Sequence, residues 1–173
     1  MTLEPFWIHV DERTLRQGDL LPGCMVPIFS NMSPATVVQE IVTDEFDLIT
    51  LTQSCDLEQR KVRLIATCPV FSVSQFESVN PGFAKKGRWN EVLKGRIEGL
   101  HLLASPTNPP NNREALVVDF REIYSLPFEY LETHRGTINP RWRLRSPFLE
   151  HFSQAFARFF MRVGLPSTIP AFP

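Results

Sequence analysis

Four consecutive side chains, Gln53, Ser54, Cys55 and Asp56, place an amide, a hydroxyl, a thiol and a carboxylate between two apolar segments, LITLT (48–52) and VRLIATCPV (62–70). A thiolate is an intrinsically strong nucleophile when a cation or a histidine lowers the thiol pKa. Asp56 works the other way, because an adjacent carboxylate raises that pKa, and no histidine stands nearby in the sequence. The residues themselves favour a half-buried structural cysteine, or a polar recognition turn, over a nucleophile. Asp56 and Ser54 then serve as turn-forming or capping side chains.

A second candidate is RWRLR at 141–145. In an extended conformation Arg141, Arg143 and Arg145 share one face while Trp142 and Leu144 share the other. Three guanidinium groups on one face can grip phosphates or carboxylates bidentately. They can equally be solvated charges that keep an edge strand from pairing with another chain. Both readings stay open. Asp19, after Gly18, reads as a tight-turn residue. His101 opens an apolar run and reads as a partly buried imidazole, and neither His134 nor His151 pairs in sequence with another ligand.

The elements that must position these residues follow from patterning. QGDLLPGCMVPIF (17–29) starts at a Gly-Asp turn and continues as an apolar run broken by Pro22 and Pro27, so it is expected at a sheet edge or as two short pieces. VVQEIV (37–42) alternates imperfectly before the acidic turn at Asp44 and Glu45. LITLT and VRLIATCPV, rich in β-branched residues, are the strongest strands, and the QSCD turn joins them as a hairpin. Trp89, Val92, Leu93 and Ile97 recur at helical spacing and predict a helix near 87–98, ending near Gly99. HLLA (101–104) and LVVDFREIYSL (116–126) read as strands around a Pro/Asn loop. At the end, Ser146 as N-cap and Pro147 as first helical residue open an amphipathic helix over 147–163, with Phe148, Phe152, Phe156, Phe159, Phe160 and Val163 along one stripe and Gly164 and Pro166 closing it.

The totals bound the answer. A chain of 173 residues has room for one domain with an ordinary core. Its 18 Lys and Arg against 19 Asp and Glu leave no long-range pull on polyanions, so any RNA or DNA contact must be local. Three cysteines without a CxxC pair suit reduced thiols better than a disulfide framework and argue against a structural zinc site. No apolar run is long enough for a signal peptide or a membrane span, which predicts a cytoplasmic protein without membrane contact. Fourteen Phe against two Tyr mark the aromatic content as core material.

Taken in order, QGDLLPG (17–23), DLITLTQS (47–54), VRLIATCPVFS (62–72) and VVDFREIYSLPFEYL (117–131) resemble the strand sequence of the MazF/PemK toxin family. The resemblance covers about half the chain. It implies a mostly β fold with added helices: a small SH3-like barrel over 1–145 with the inserted helix near 87–98, then the terminal helix over 146–164, in a single domain. It also implies a metal-independent endoribonuclease without cofactor, in which Asp119 and Arg121, with His101 as an acid, surround the cleaved phosphate while Arg141, Arg143 and Arg145 guide the strand.

Departures from the family pattern point elsewhere. The stretch 30–47, where the family carries phosphate-holding Arg residues, has no Lys or Arg and is acidic, and Val117 stands where the family often has Arg. Nucleic-acid affinity is dominated by phosphate neutralisation. The leading expectation is therefore a non-catalytic MazF/PemK-like module within a bacterial toxin–antitoxin or phage-defence system. It would bind a protein partner or a nucleic acid through Gln53–Asp56 and the Arg stripe, with the Phe-rich helix open to a partner chain or a second copy. The endoribonuclease is the alternative.

Overall fold

A computed structural model describes residues 5–28 and 42–161. Most of VVQEIV, residues 30–41 of the acidic stretch and the terminators Gly164 and Pro166 lie outside them, whereas Asp44 and Glu45, expected in a turn, stand within a strand. In chain order the elements are β1 (Trp7–Val10), β2 (Leu20–Ile28), β3 (Val42–Thr50), α1 (Ser54–Glu58), β4 (Leu64–Ser72), α2 (Val73–Val79), a 3-10 turn (Pro81–Ala84), α3 (Arg88–Leu93), β5 (Leu100–Leu103), β6 (Leu116–Asp119), β7 (Tyr124–Pro127), α4 (Phe128–Arg135), β8 (Arg141–Leu144) and α5 (Phe148–Phe160).

The hub is β4. Its first half pairs with β7, from Leu64 opposite Pro127 to Thr67 opposite Tyr124, and its end pairs with β6, with Val70 opposite Val118. On its other side it meets β3, with Ile49 opposite Cys68. The six-stranded sheet runs β2-β3-β4-β6-β5 with β7 on β4, and β1 and β8 form a separate antiparallel pair. This corrects the expected SH3-like barrel: among the described residues β2 and β5 stay at opposite ends of the strand order and nothing closes the sheet. The edge placement expected for 17–29 holds for β2. Its register shifts between Leu21 and Cys24, so Pro22, which has no N–H to give a ladder, sits in a bulge.

Three further expectations change. The run 116–126 is two strands, because Phe120–Ile123 turn the chain so that β6 and β7 each reach a different part of β4. The middle helix is only Arg88–Leu93; Gly95 takes a φ of 69°, a left-handed geometry that ends it well before Gly99. The last helix starts at Phe148, with Pro147 as its cap residue and no side-chain cap, so Ser146 does not cap it.

The stripe of α5 is spent on this chain's own core. Phe152 is fully buried, Phe148 stacks on Phe6 with ring centroids 3.7 Å apart, and Phe120 meets Phe152 and Phe156 at 5.6 and 5.4 Å. Only the last turn leaves large apolar groups outside: Phe160 is 54% exposed and Met161 78%. No helix among the described residues is long and apolar enough to cross a membrane.

Candidate functional site

The two motifs at 17–19 and 53–56 meet in space. Where Thr50 leaves β3, its carbonyl accepts the Gly18 amide at 2.9 Å and its own amide donates to the Asp19 carbonyl at 3.0 Å. Ser54 Oγ accepts the Gln17 amide at 3.1 Å, and Gln17 Nε2 donates to the Leu51 carbonyl at 2.8 Å. Ser54 is thus used as a tie to the Gly-Asp turn rather than as a cap.

The segment 53–56 is itself a correction to the expected hairpin turn, since Ser54–Glu58 form one helical turn. Leu57, 1% exposed, anchors it in the core. Arg60 ends it at a φ of 49°, which lets the Arg60 amide reach the Leu57 carbonyl and the Lys61 amide reach Asp56, a Schellman closure without glycine. Arg60 is held there by Glu132 at 2.5 Å and lies over the Phe128 ring at 4.8 Å. This mounting presents Gln53 and Cys55 to solvent with Asp56 half-buried between core and surface. The half-buried cysteine expected from sequence is instead exposed, whereas Cys24 and Cys68 are buried. Burial pushes the Cys24 thiol up to about 12 and the Cys68 thiol higher still. The neighbours of Cys55 Sγ are acceptors, Gln53 Oε1 and the Asp56 carboxylate at 3.9 and 3.8 Å.

Beneath the junction lies the largest departure from the sequence reading. Asp19 is completely buried and is not merely a turn residue. Its carboxylate accepts Arg141 Nε at 3.0 Å, Arg143 Nε at 2.5 Å, Arg143 Nη2 at 3.0 Å and the Arg16 amide at 2.9 Å. Arg143 also pairs with Glu12, and Arg141 Nη2 donates to the carbonyls of Glu12 and Thr14. Burial pushes the Asp19 carboxyl up to about 7, against the pull of Arg141. All four neighbours are donors and a carboxylic proton would find no acceptor, so the geometry holds the anion. The Arg stripe is therefore turned inward: Arg141 is 1% and Arg143 7% exposed, and only Arg145 faces solvent. The cause is register. β8 pairs with β1, and Arg143 bridges to Asp19, which puts the guanidinium face over the start of β2.

The three residues nominated for RNA cleavage do not form a set. Asp119 is opposite Leu100 and His101 is opposite Val118. Residues directly opposite share a face and neighbours along a strand alternate, so Asp119 and His101 point to opposite sides of the sheet. Asp119 is taken up by its neighbour: Arg121 donates its amide at 3.0 Å, Nε at 2.8 Å and Nη2 at 2.5 Å. His101 lies against Phe120 and Phe152, and burial, aided by His151, holds its pKa down to about 4. Burial thus disfavours the imidazolium form that a general acid needs at neutral pH.

Comparison with protein-family models, curated proteins and solved structures finds no match to this chain. Among the described residues no group of three or more His, Cys, Asp or Glu is placed to hold a metal ion. Sequence reasoning missed Gln17, which ties the two motifs, and Glu12, which completes the buried ion cluster. A lone acid in the apolar run after Gly18, set against a strand with Arg at every second place, was the available signal.

Proposed function

We propose that this chain is a non-catalytic binding module, resembling the MazF/PemK toxins in the order of its strand sequences, that engages a protein partner through the helical turn carrying Gln53, Ser54, Cys55 and Asp56. The toxin–antitoxin or phage-defence setting rests on the resemblance alone. The observation that carries the reading is the fate of the ionisable groups. Asp19, Arg141 and Arg143 neutralise one another inside the fold, and Asp119 is sequestered by Arg121 on the face opposite His101. General acid–base cleavage needs such groups within reach of one phosphate. A surface without the Arg stripe also favours protein over nucleic acid, whose affinity comes chiefly from phosphate neutralisation. What stays outside and rigidly mounted is the turn at 53–56.

Because Cys55 is the exposed thiol, a benzophenone maleimide placed on it reports its own neighbourhood. Photolysis in extract of the source cells is expected to give one discrete protein adduct, competed away by unlabelled protein and lost with Gln53→Arg. An adduct to RNA, or protein labelling that unlabelled protein cannot compete, contradicts the reading.

A further inference from the structure

The arm formed by the end of β2 and the start of β3 carries a strand edge without a partner. β3 meets β4 only over Leu48–Thr50, and from Val70 onward β4 pairs with β6 on its other side. The first part of β3, Val42–Phe46, pairs with β2 alone; Val42, Thr43, Asp44 and Glu45 are all exposed and Phe46 is half-buried. The direction of its backbone groups follows from β2. Pro27, opposite Thr43, has no N–H, and the Met25 amide, opposite Glu45, donates to the Tyr130 hydroxyl at 2.6 Å, away from β3. Along an antiparallel ladder, hydrogen-bonded pairs alternate with pairs whose N–H and C=O groups face outward. Thr43 and Glu45 therefore turn theirs away from β2, and no strand meets them among the described residues.

On the β2 side of the same arm the edge is blocked, since Pro27 has no N–H to offer and Tyr130 takes the Met25 amide. An open edge is a template for another chain, and the side chains along it decide which. Thr43 and Glu45 share one face of β3 while Val42, Asp44 and Phe46 share the other. Neither Asp44 nor Glu45 has an ion pair among the described residues. Val42, 50% exposed, and Phe46 add an apolar surface. A second copy of this edge would set acid beside acid, which destabilises cross-strand pairs. A strand bearing cations reverses that sign.

We propose that the edge of β3 at Val42–Phe46 takes up an extended segment of a partner protein as an added strand, the segment being rich in Lys or Arg with apolar residues between them. Thr43 and Glu45 supply the backbone bonds, the Glu45 and Asp44 carboxylates select the cations, and Val42 and Phe46 receive the apolar side chains. Strand addition here is independent of the turn at 53–56, so the failure of either leaves the other standing.

The test is hydrogen exchange followed amide by amide in the full chain, with an acetylated heptapeptide of alternating Lys and Val as the probe. In the free protein the Thr43 and Glu45 amides are expected to exchange fast, and those of Asp44 and Phe46, bonded to β2, slowly. The peptide should slow Thr43 and Glu45 saturably, an effect weakened at least ~10-fold by the paired reversal Asp44→Lys with Glu45→Lys and unchanged by Lys86→Glu on an exposed loop. Glu45→Gln, which keeps the shape and removes one charge, should weaken it less. The same peptide methylated on every backbone nitrogen keeps its charge but cannot pair, and should protect neither amide; a peptide of alternating Glu and Val should also fail. The proposal is overturned if the Thr43 and Glu45 amides are already slow in the free protein, if no saturable slowing appears up to ~1 mM peptide, or if the methylated peptide protects them equally.

Discussion

Asp19 and Arg143 are joined across 124 residues by two hydrogen bonds, Nε to Oδ1 at 2.5 Å and Nη2 to Oδ2 at 3.0 Å, inside a site where both side chains are almost sealed from solvent. The pair locks β8 onto the start of β2. Removing one member of such a cluster leaves a buried charge without its partner, which costs about 3–5 kcal/mol. Arg141→Ala and Asp19→Ala are each expected to lose that much in urea unfolding. A double variant should lose far less than the sum of the two. Additive losses would mean that the residues act separately.

Gly18 sits between this cluster and α5. At a φ of 80° it adopts a geometry that side chains rarely take, and a Cβ there would meet Leu149 Cδ1 at 2.8 Å and Leu144 Cβ at 3.0 Å. Gly18→Ala is expected to destabilise by more than about 1 kcal/mol, a fall of at least ~2–4 °C for a chain of this size. An unchanged thermal midpoint contradicts the close approach.

The thiols should separate cleanly. In the native protein one equivalent of an alkylating or disulfide reagent should react promptly, at Cys55, while Cys24 and Cys68 react only in denaturant. Mass mapping after a short pulse checks this. Prompt labelling of Cys68 would mean that the β3–β4 pairing opens readily.

His101 links stability to pH in a definite direction. Its ordinary value is 6.5 and its folded value about 4, so between these the unfolded chain binds a proton that the native chain refuses. Native stability is full above pH 6.5 and falls as pH drops toward 4, by on the order of 3 kcal/mol from this group. His101→Phe should flatten the wild-type slope in that window. Equal slopes in the two proteins would place the imidazole in water.

Much of the sheet was legible because LITLT and VRLIATCPV carry β-branched residues in runs that only a buried strand accommodates, and they do pair as β3 and β4. The stripe of α5 was legible for the same reason. What sequence could not show was which face of RWRLR is covered. Alternation defines two faces and is silent on which is inside, and the decision is made by Asp19, more than 120 residues away. The helix over Phe128–Arg135 escaped notice because its apolar residues are only Phe128, Tyr130 and Leu131, too few to set a period. The nominated triad failed for a related reason: order along the chain placed Asp119 and His101 on paired strands but not on one face.

The most direct test of the non-catalytic reading is incubation of purified protein with single-stranded and structured RNA in EDTA, alongside Asp119→Ala and His101→Phe, with fragments resolved on a denaturing gel. The account predicts intact RNA in all three. Cleavage by the wild-type protein that either substitution abolishes would contradict it.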